Sequence, residues 1–238
     1  MLFYHKGLQV CKRSLSFVAG DRKAAILRVQ IWSVHESDVV GLSAEWQQWV
    51  LSIPTPVNPL LDITGEHCMV GQRGAVWFLT GTSFGGTVTR ACDVPEGKPL
   101  FFPVVNSVNI NSPNVCGQDA TNLSVQDLRA ASAGCIDEAT NLSVKVDGTT
   151  LQQLQRVKSI VFEVALPEAN VFDAPCIDAG LGNVPAGIYS PAVDDGFYVR
   201  LEPLEVGLHT LRIQGTSPCF NSNLDVTYHL TVAPVELH

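Results

Sequence analysis

Leu224-Asp-Val-Thr-Tyr-His-Leu-Thr-Val232 alternates apolar and polar residues without a break, the mark of a strand with one buried and one wet face. The same period runs through Leu208–Gln214 and Phe197–Leu201, and partly through Val157–Leu166, with a turn at Asp147-Gly148. Phe197, Val199, Leu201, Leu211, Ile213, Val226, Tyr228 and Leu230 then point inward. Tyr198, Arg200, Glu202, Thr210, Arg212, Gln214, Thr227, His229 and Thr231 point outward.

Upstream, Ala75–Thr80 and Thr87–Cys92 read as two strands of a hairpin about Gly81–Gly86, and Pro99–Val105 as a strand that Pro103 places at an edge or a bulge. Residues 106–122 form an Asn-rich polar loop. Two short helices interrupt the strands. One starts at Ser43 as N-cap, with Trp46, Trp49 and Val50 on one face, and the other follows the capping-box pattern Ser124…Asp127. At least seven short strands with Gly and Pro turns, and no βαβ spacing, give an all-β fold, a β-sandwich or jelly roll over residues 44–238. Residues 1–43 hold six of the fifteen basic residues and read as a poorly integrated arm.

The 238 residues are 46% hydrophobic and only 16% charged, with a net charge of −8. Scattered lysines and arginines lack the footprint of a nucleic-acid binder, and no apolar run reaches the ~20 residues of a transmembrane helix. Cys68, Cys92, Cys116, Cys135, Cys176 and Cys219 are widely spaced, without CxxC pairs, and suit a disulfide framework in an oxidising compartment. The simplest pairing is sequential: Cys68 with Cys92, Cys116 with Cys135, Cys176 with Cys219.

Two stretches carry a resemblance. One runs Ile53-Pro…Asn58-Pro-Leu-Leu-Asp…Cys68…Val76-Trp-Phe-Leu…Val88-Thr-Arg…Cys92…Leu100-Phe-Phe-Pro. The other runs Tyr189-Ser-Pro-Ala-Val-Asp-Asp-Gly-Phe-Tyr…Glu202-Pro-Leu…His209-Thr…Asp225-Val-Thr-Tyr-His-Leu-Thr-Val. Over residues 45–232 the chain resembles a group of uncharacterised bacterial exported proteins, which implies a secreted or periplasmic location and no assigned activity. The basic residues of the first 32 positions flank only one apolar stretch, Leu15–Gly20, shorter and more polar than a secretion-signal core, so export is inferred from the cysteines and the resemblance.

The outward set offers a carbohydrate or cell-surface component a stacking ring at Tyr198 and hydrogen bonds from Arg200, Arg212 and His229. His209, facing inward, reads as a satisfied core histidine. A polymer-acting hydrolase or lyase would draw acid–base groups from His67, Arg90, Asp195 and His229. Asp194 and Asp195 read as a turn before a strand. Asn106, Asn109 and Asp119 supply oxygens for Ca²⁺, without the spacing of a calcium loop. The leading expectation is an exported, non-catalytic binding module without a cofactor, and a structural envelope or matrix protein is the third reading.

Overall fold

The computed structural model of the chain describes residues 36–83, 85–152, 154–217 and 222–234. In chain order the elements are α1 (Glu36–Leu51), β1 (Trp77–Phe78), β2 (Gly86–Pro95), β3 (Leu100–Ile110), α2 (Val125–Asp137), β4 (Thr140–Val146) and β5 (Thr149–Thr150). There follow β6 (Gln155–Lys158), β7 (Phe162–Leu166), α3 (Asp173–Asp178), β8 (Gly187–Leu201), β9 (Gly207–Ser217) and β10 (Ser222–Ala233). One sheet has the order β1-β3-β8-β6, with β7 also on β8, and the other β2-β10-β9-β4-β5. The fold is a disulfide-braced β-sandwich.

Alternation decides what lies between the sheets. Val88, Cys92 and Val94 of β2, Leu211 and Ile213 of β9, and Val226, Tyr228, Leu230 and Val232 of β10 meet Leu100, Phe102, Val104, Val199 and Leu201 of the first sheet. The inward set expected from the sequence is therefore the one observed.

The opposite face of the first sheet is also buried. There α1 lays Trp46, Trp49 and Val50 over Phe78, Phe101, Val157, Val164 and Tyr198. At ~200 Å² of apolar surface, each indole contributes on the order of 5 kcal/mol, an upper bound from area. Trp46 Nε1 donates to Leu79 O (2.8 Å) and Trp49 Nε1 to Val70 O (3.0 Å), so the rings also satisfy their polar atoms. Asn58 Nδ2 reaches Val50 O and Ile53 O (2.7 and 2.8 Å) and closes the carbonyl end of α1.

Several expectations are corrected. The helix begins at Glu36, ahead of Ser43, which lies inside it fully buried with its hydroxyl on Val40 O. Residues 36–43 thus belong to the packed domain, with Val39 buried, while residues 1–35 lie outside the described residues. The hairpin does not form. Trp77 and Phe78 bury opposite faces, so β1 is drawn into the first sheet, parallel to β3, while β2 joins the second. Val157–Leu166 divides into β6 and β7 at Ser159, whose N donates to Asp194 O (2.9 Å) while its hydroxyl, in place of its carbonyl, accepts from Asp194 N (2.8 Å).

The sequence was right about Pro103, where β3 bulges against β8, and about the Ser124/Asp127 capping box of α2. Residues 106–110, however, extend β3 instead of opening a loop. Cys68 pairs with Cys92 as expected, but it pins the coil before β1 to the edge strand β2. Cys116 pairs with Cys176, overturning both remaining sequential pairs, because α3 packs against the loop after β3. Cys135 is disulfide-bonded too, and Cys219 lies outside the described residues.

Candidate functional site

The outer face of the second sheet is open to solvent. The strand registers set its side chains in rows across β2, β10, β9 and β4: Thr87, Asp225, Gln214 and Ser143; then Thr89, Thr227, Arg212 and Lys145. Ala91, His229 and Thr210 form a third row, and Asp93, Thr231 and Leu208 a fourth. At ordinary strand spacings the array covers roughly 14 by 20 Å. Arg212 holds Asp225 with two bonds (Nε to Oδ1 2.8 Å, Nη2 to Oδ2 2.6 Å), and this pairing lowers the Asp225 pKa. Gln214 Nε2 adds a third bond to the same carboxylate (3.3 Å), while the threonines and exposed His229 offer donors and acceptors to solvent.

Tyr198 and Arg200 belong to the other sheet, and Tyr198 is not outward-facing. It is 2% exposed, stacked on Phe101 (5.1 Å between centroids) and edge-on to Trp46. The strand alternates as its sequence predicts, but α1 covers the face that would otherwise meet water. Arg200 is half-buried and paired with Glu202 (2.6 Å).

Beside Tyr198, Asp194 is fully buried within β8, not in a turn. Its Oδ2 accepts from Tyr198 O–H (2.7 Å), and its Oδ1 from Gln47 Nε2 of α1 (2.7 Å) and Asn106 Nδ2 of β3 (3.2 Å). Burial pushes this carboxyl up to about 7, against the lowering effect of those three donors. The network ties α1 to the sheet and is sealed from substrate. Its one sequence signal is the acidic pair in Ala192-Val-Asp-Asp-Gly-Phe-Tyr, an apolar strand carrying two charges.

The acid–base candidates do not converge. Arg90 points into the sandwich at 1% exposure, where Nε bonds Asp62 O (2.7 Å) and Nη1 reaches Thr80 O, Gly81 O and the Tyr228 hydroxyl (3.0, 2.8 and 2.7 Å). It clamps the coil preceding β2 over the core. His229 lies on the opposite face of the same sheet, and His67 is half-buried in the turn before Cys68. Asp195 sits in the other sheet, 2% exposed and gripped by Arg156 through two 2.9 Å bonds, with Asp137 of α2 on the same guanidinium (2.6 Å).

The calcium candidates are likewise apart. Asn106 serves Asp194, Asn109 Nδ2 bonds Ser132 Oγ of α2 (2.8 Å), and Asp119 Oδ1 accepts from Thr121 N within its own loop (2.7 Å). Among the described residues no group of three His, Cys, Asp or Glu side chains is placed to hold a metal. His209 is satisfied by partners the sequence reading did not name: Nδ1 meets Asp147 Oδ2 (2.7 Å) and Nε2 meets Glu205 O (2.9 Å). Both partners are acceptors, so the imidazolium form fits this site.

The chain matches no protein-family model, no curated protein and no solved structure. Fold and site together define a disulfide-braced β-sandwich with one sheet covered by a helix and the other presenting a bare polar face. No described helix is long and apolar enough to cross a membrane.

Proposed function

We propose that this protein is an exported, non-catalytic module that binds a carbohydrate or other hydroxyl-rich surface component on the outer face of its second sheet. The observation carrying this reading is the contrast between the two sheets. One has its outer face closed by α1, while the other leaves Thr89, Thr210, Arg212, Thr227, His229 and Thr231 uncovered. Such a face recognises ligands through hydroxyl, guanidinium and imidazole hydrogen bonds, without an aromatic stacking platform. Two described disulfides suit an oxidising compartment.

The test is retention on immobilised polysaccharides and on a glycan array, comparing wild type with the variant Arg212→Ala/Thr227→Val/His229→Ala. Saturable retention by the wild type, reduced at least about tenfold in the variant, is expected for two or three lost hydrogen bonds. Retention that survives the triple substitution, or none on any glycan, sinks the proposal.

A further inference from the structure

A concavity of about 190 Å³ opens at the far end of the first sheet, away from the polar face. Its wall is Val108 and Ile110 of β3, Val115 of the following loop, Leu166 at the end of β7, and Phe172 and Val184 on either side of α3. An engineered cavity of about 150 Å³ admits benzene, so this space matches one six-membered ring or an alkyl group of about six carbons.

The walls are held in place before any ligand arrives. Cys116, itself in the wall, is bonded to Cys176 of α3 with their Cα atoms 5.5 Å apart. Asn111 Oδ1 accepts from Gln118 Nε2 and Leu123 N (both 2.9 Å), which fixes the loop bearing Val115. A site that needs little ordering keeps more of its contact energy for the ligand.

The polar atoms around the cavity limit which ligands fit. Ser112 N and Oγ both donate to Gln118 Oε1 (2.8 and 3.3 Å), and Tyr189 O–H donates to Pro185 O (2.7 Å). Both hydroxyls have spent their protons but retain lone pairs, so they can accept and not donate. Burial pushes the Tyr189 phenol pKa up, and so does the charge of the Asp173 carboxylate, which accepts from Val184 N (2.8 Å). An incoming anion meets that charge, and the Ser112 and Tyr189 hydroxyls offer it no proton.

We propose that this cavity is a binding site for a neutral or cationic ligand, free or part of a larger molecule, whose compact ring or alkyl group carries a hydrogen-bond donor. The site is independent of the polar sheet face, and its ligand need not be a sugar.

The probes are benzyl alcohol, benzylamine, hexan-1-ol and benzoate, titrated into ¹⁵N-labelled full-length protein. Saturable shifts at the Val115, Leu166 and Val184 amides are expected for the alcohols and the amine, the two alcohols separating aryl from alkyl preference. Benzoate should bind at least about tenfold more weakly, the factor expected of one unfavourable charge contact. Tyr189→Phe should weaken benzyl alcohol roughly tenfold through the lost acceptor while sparing toluene. Asp173→Asn, which can still accept from Val184 N, should narrow the gap to benzoate. Val184→Phe should fill the cavity and abolish binding of all the probes. If that variant fails to fold, the Tyr189→Phe and Asp173→Asn responses decide. Benzoate binding as tightly as benzyl alcohol, shifts elsewhere in the molecule, or affinities indifferent to Tyr189→Phe and Asp173→Asn overturn the proposal.

Discussion

Replacing Asp194 by Asn should remove the pH dependence that this buried carboxyl gives to the stability. Burial raises this carboxyl from 3.8 to about 7, so the folded protein binds its proton more tightly than the unfolded chain does. The stabilisation is fully present below about pH 4 and is lost as pH rises through about 7. At about 1.4 kcal/mol per pH unit the whole loss is on the order of 4 kcal/mol, of which about 3 falls between pH 5 and 8. In the Asn variant the carboxamide oxygen can keep the Gln47 and Asn106 bonds, but its NH₂ faces the Tyr198 hydroxyl, whose own proton then lacks an acceptor. One such orphaned group costs about 1–3 kcal/mol at any pH. The variant should match wild type near pH 5 and exceed it by about 1–3 kcal/mol at pH 8. Urea unfolding of both proteins at half-unit pH intervals measures the difference and cancels every other titration. A difference that stays constant from pH 5 to 8 would refute the reasoning.

Three further outcomes follow from the geometry. Arg90→Ala should cost at least about 3 kcal/mol in urea unfolding, since it strips a buried guanidinium from the coil it clamps, and limited proteolysis should cut first between residues 58 and 82. Cys68→Ala/Cys92→Ala should cost roughly 3.5 kcal/mol by loop-closure entropy for a separation of 24 residues; an unchanged unfolding midpoint would show that the coil holds its place without the bridge. His209 is held above the usual imidazole range because, although burial opposes it, Asp147 and the Glu205 carbonyl favour the cation. Its contribution is complete below pH 6.5 and lost as pH rises through the folded value, so His209→Gln should cost more stability at pH 5.5 than at pH 9.

The inner faces of β9 and β10 were legible because a strand with one wet face prints its environment into the sequence with period two. Tyr198 was misplaced by the same rule, since an aromatic residue opposite an apolar face reads as exposed unless something covers it. Its cover is α1, more than 140 residues earlier in the chain, and no local pattern reports so distant a contact. The false hairpin has a related cause: adjacency in sequence favoured pairing β1 with β2, whereas burial of Trp77 and Phe78 on opposite faces required a place inside the first sheet. Cysteine counting found the five bonded cysteines among the described residues, but only the packing of α3 could join Cys116 to Cys176. For the polar face, Arg212 and His229 were read correctly as outward. The rows formed with Thr87 and Thr89 needed the parallel register of β2 on β10.

That register also sets an order of events. β10 lies between β2 and β9, so, among the described residues, 86–95 find their strand partner only in residues 222–233. A chain emerging from its N-terminus therefore carries β2 unpaired, with Val88, Cys92 and Val94 uncovered, until nearly the last strand has been made. Pairing so distant in sequence delays folding and lengthens exposure to aggregation. Before that moment Cys68 and Cys92, only 24 residues apart, can already join, giving the waiting strand a covalent foothold while its partner is still being synthesised.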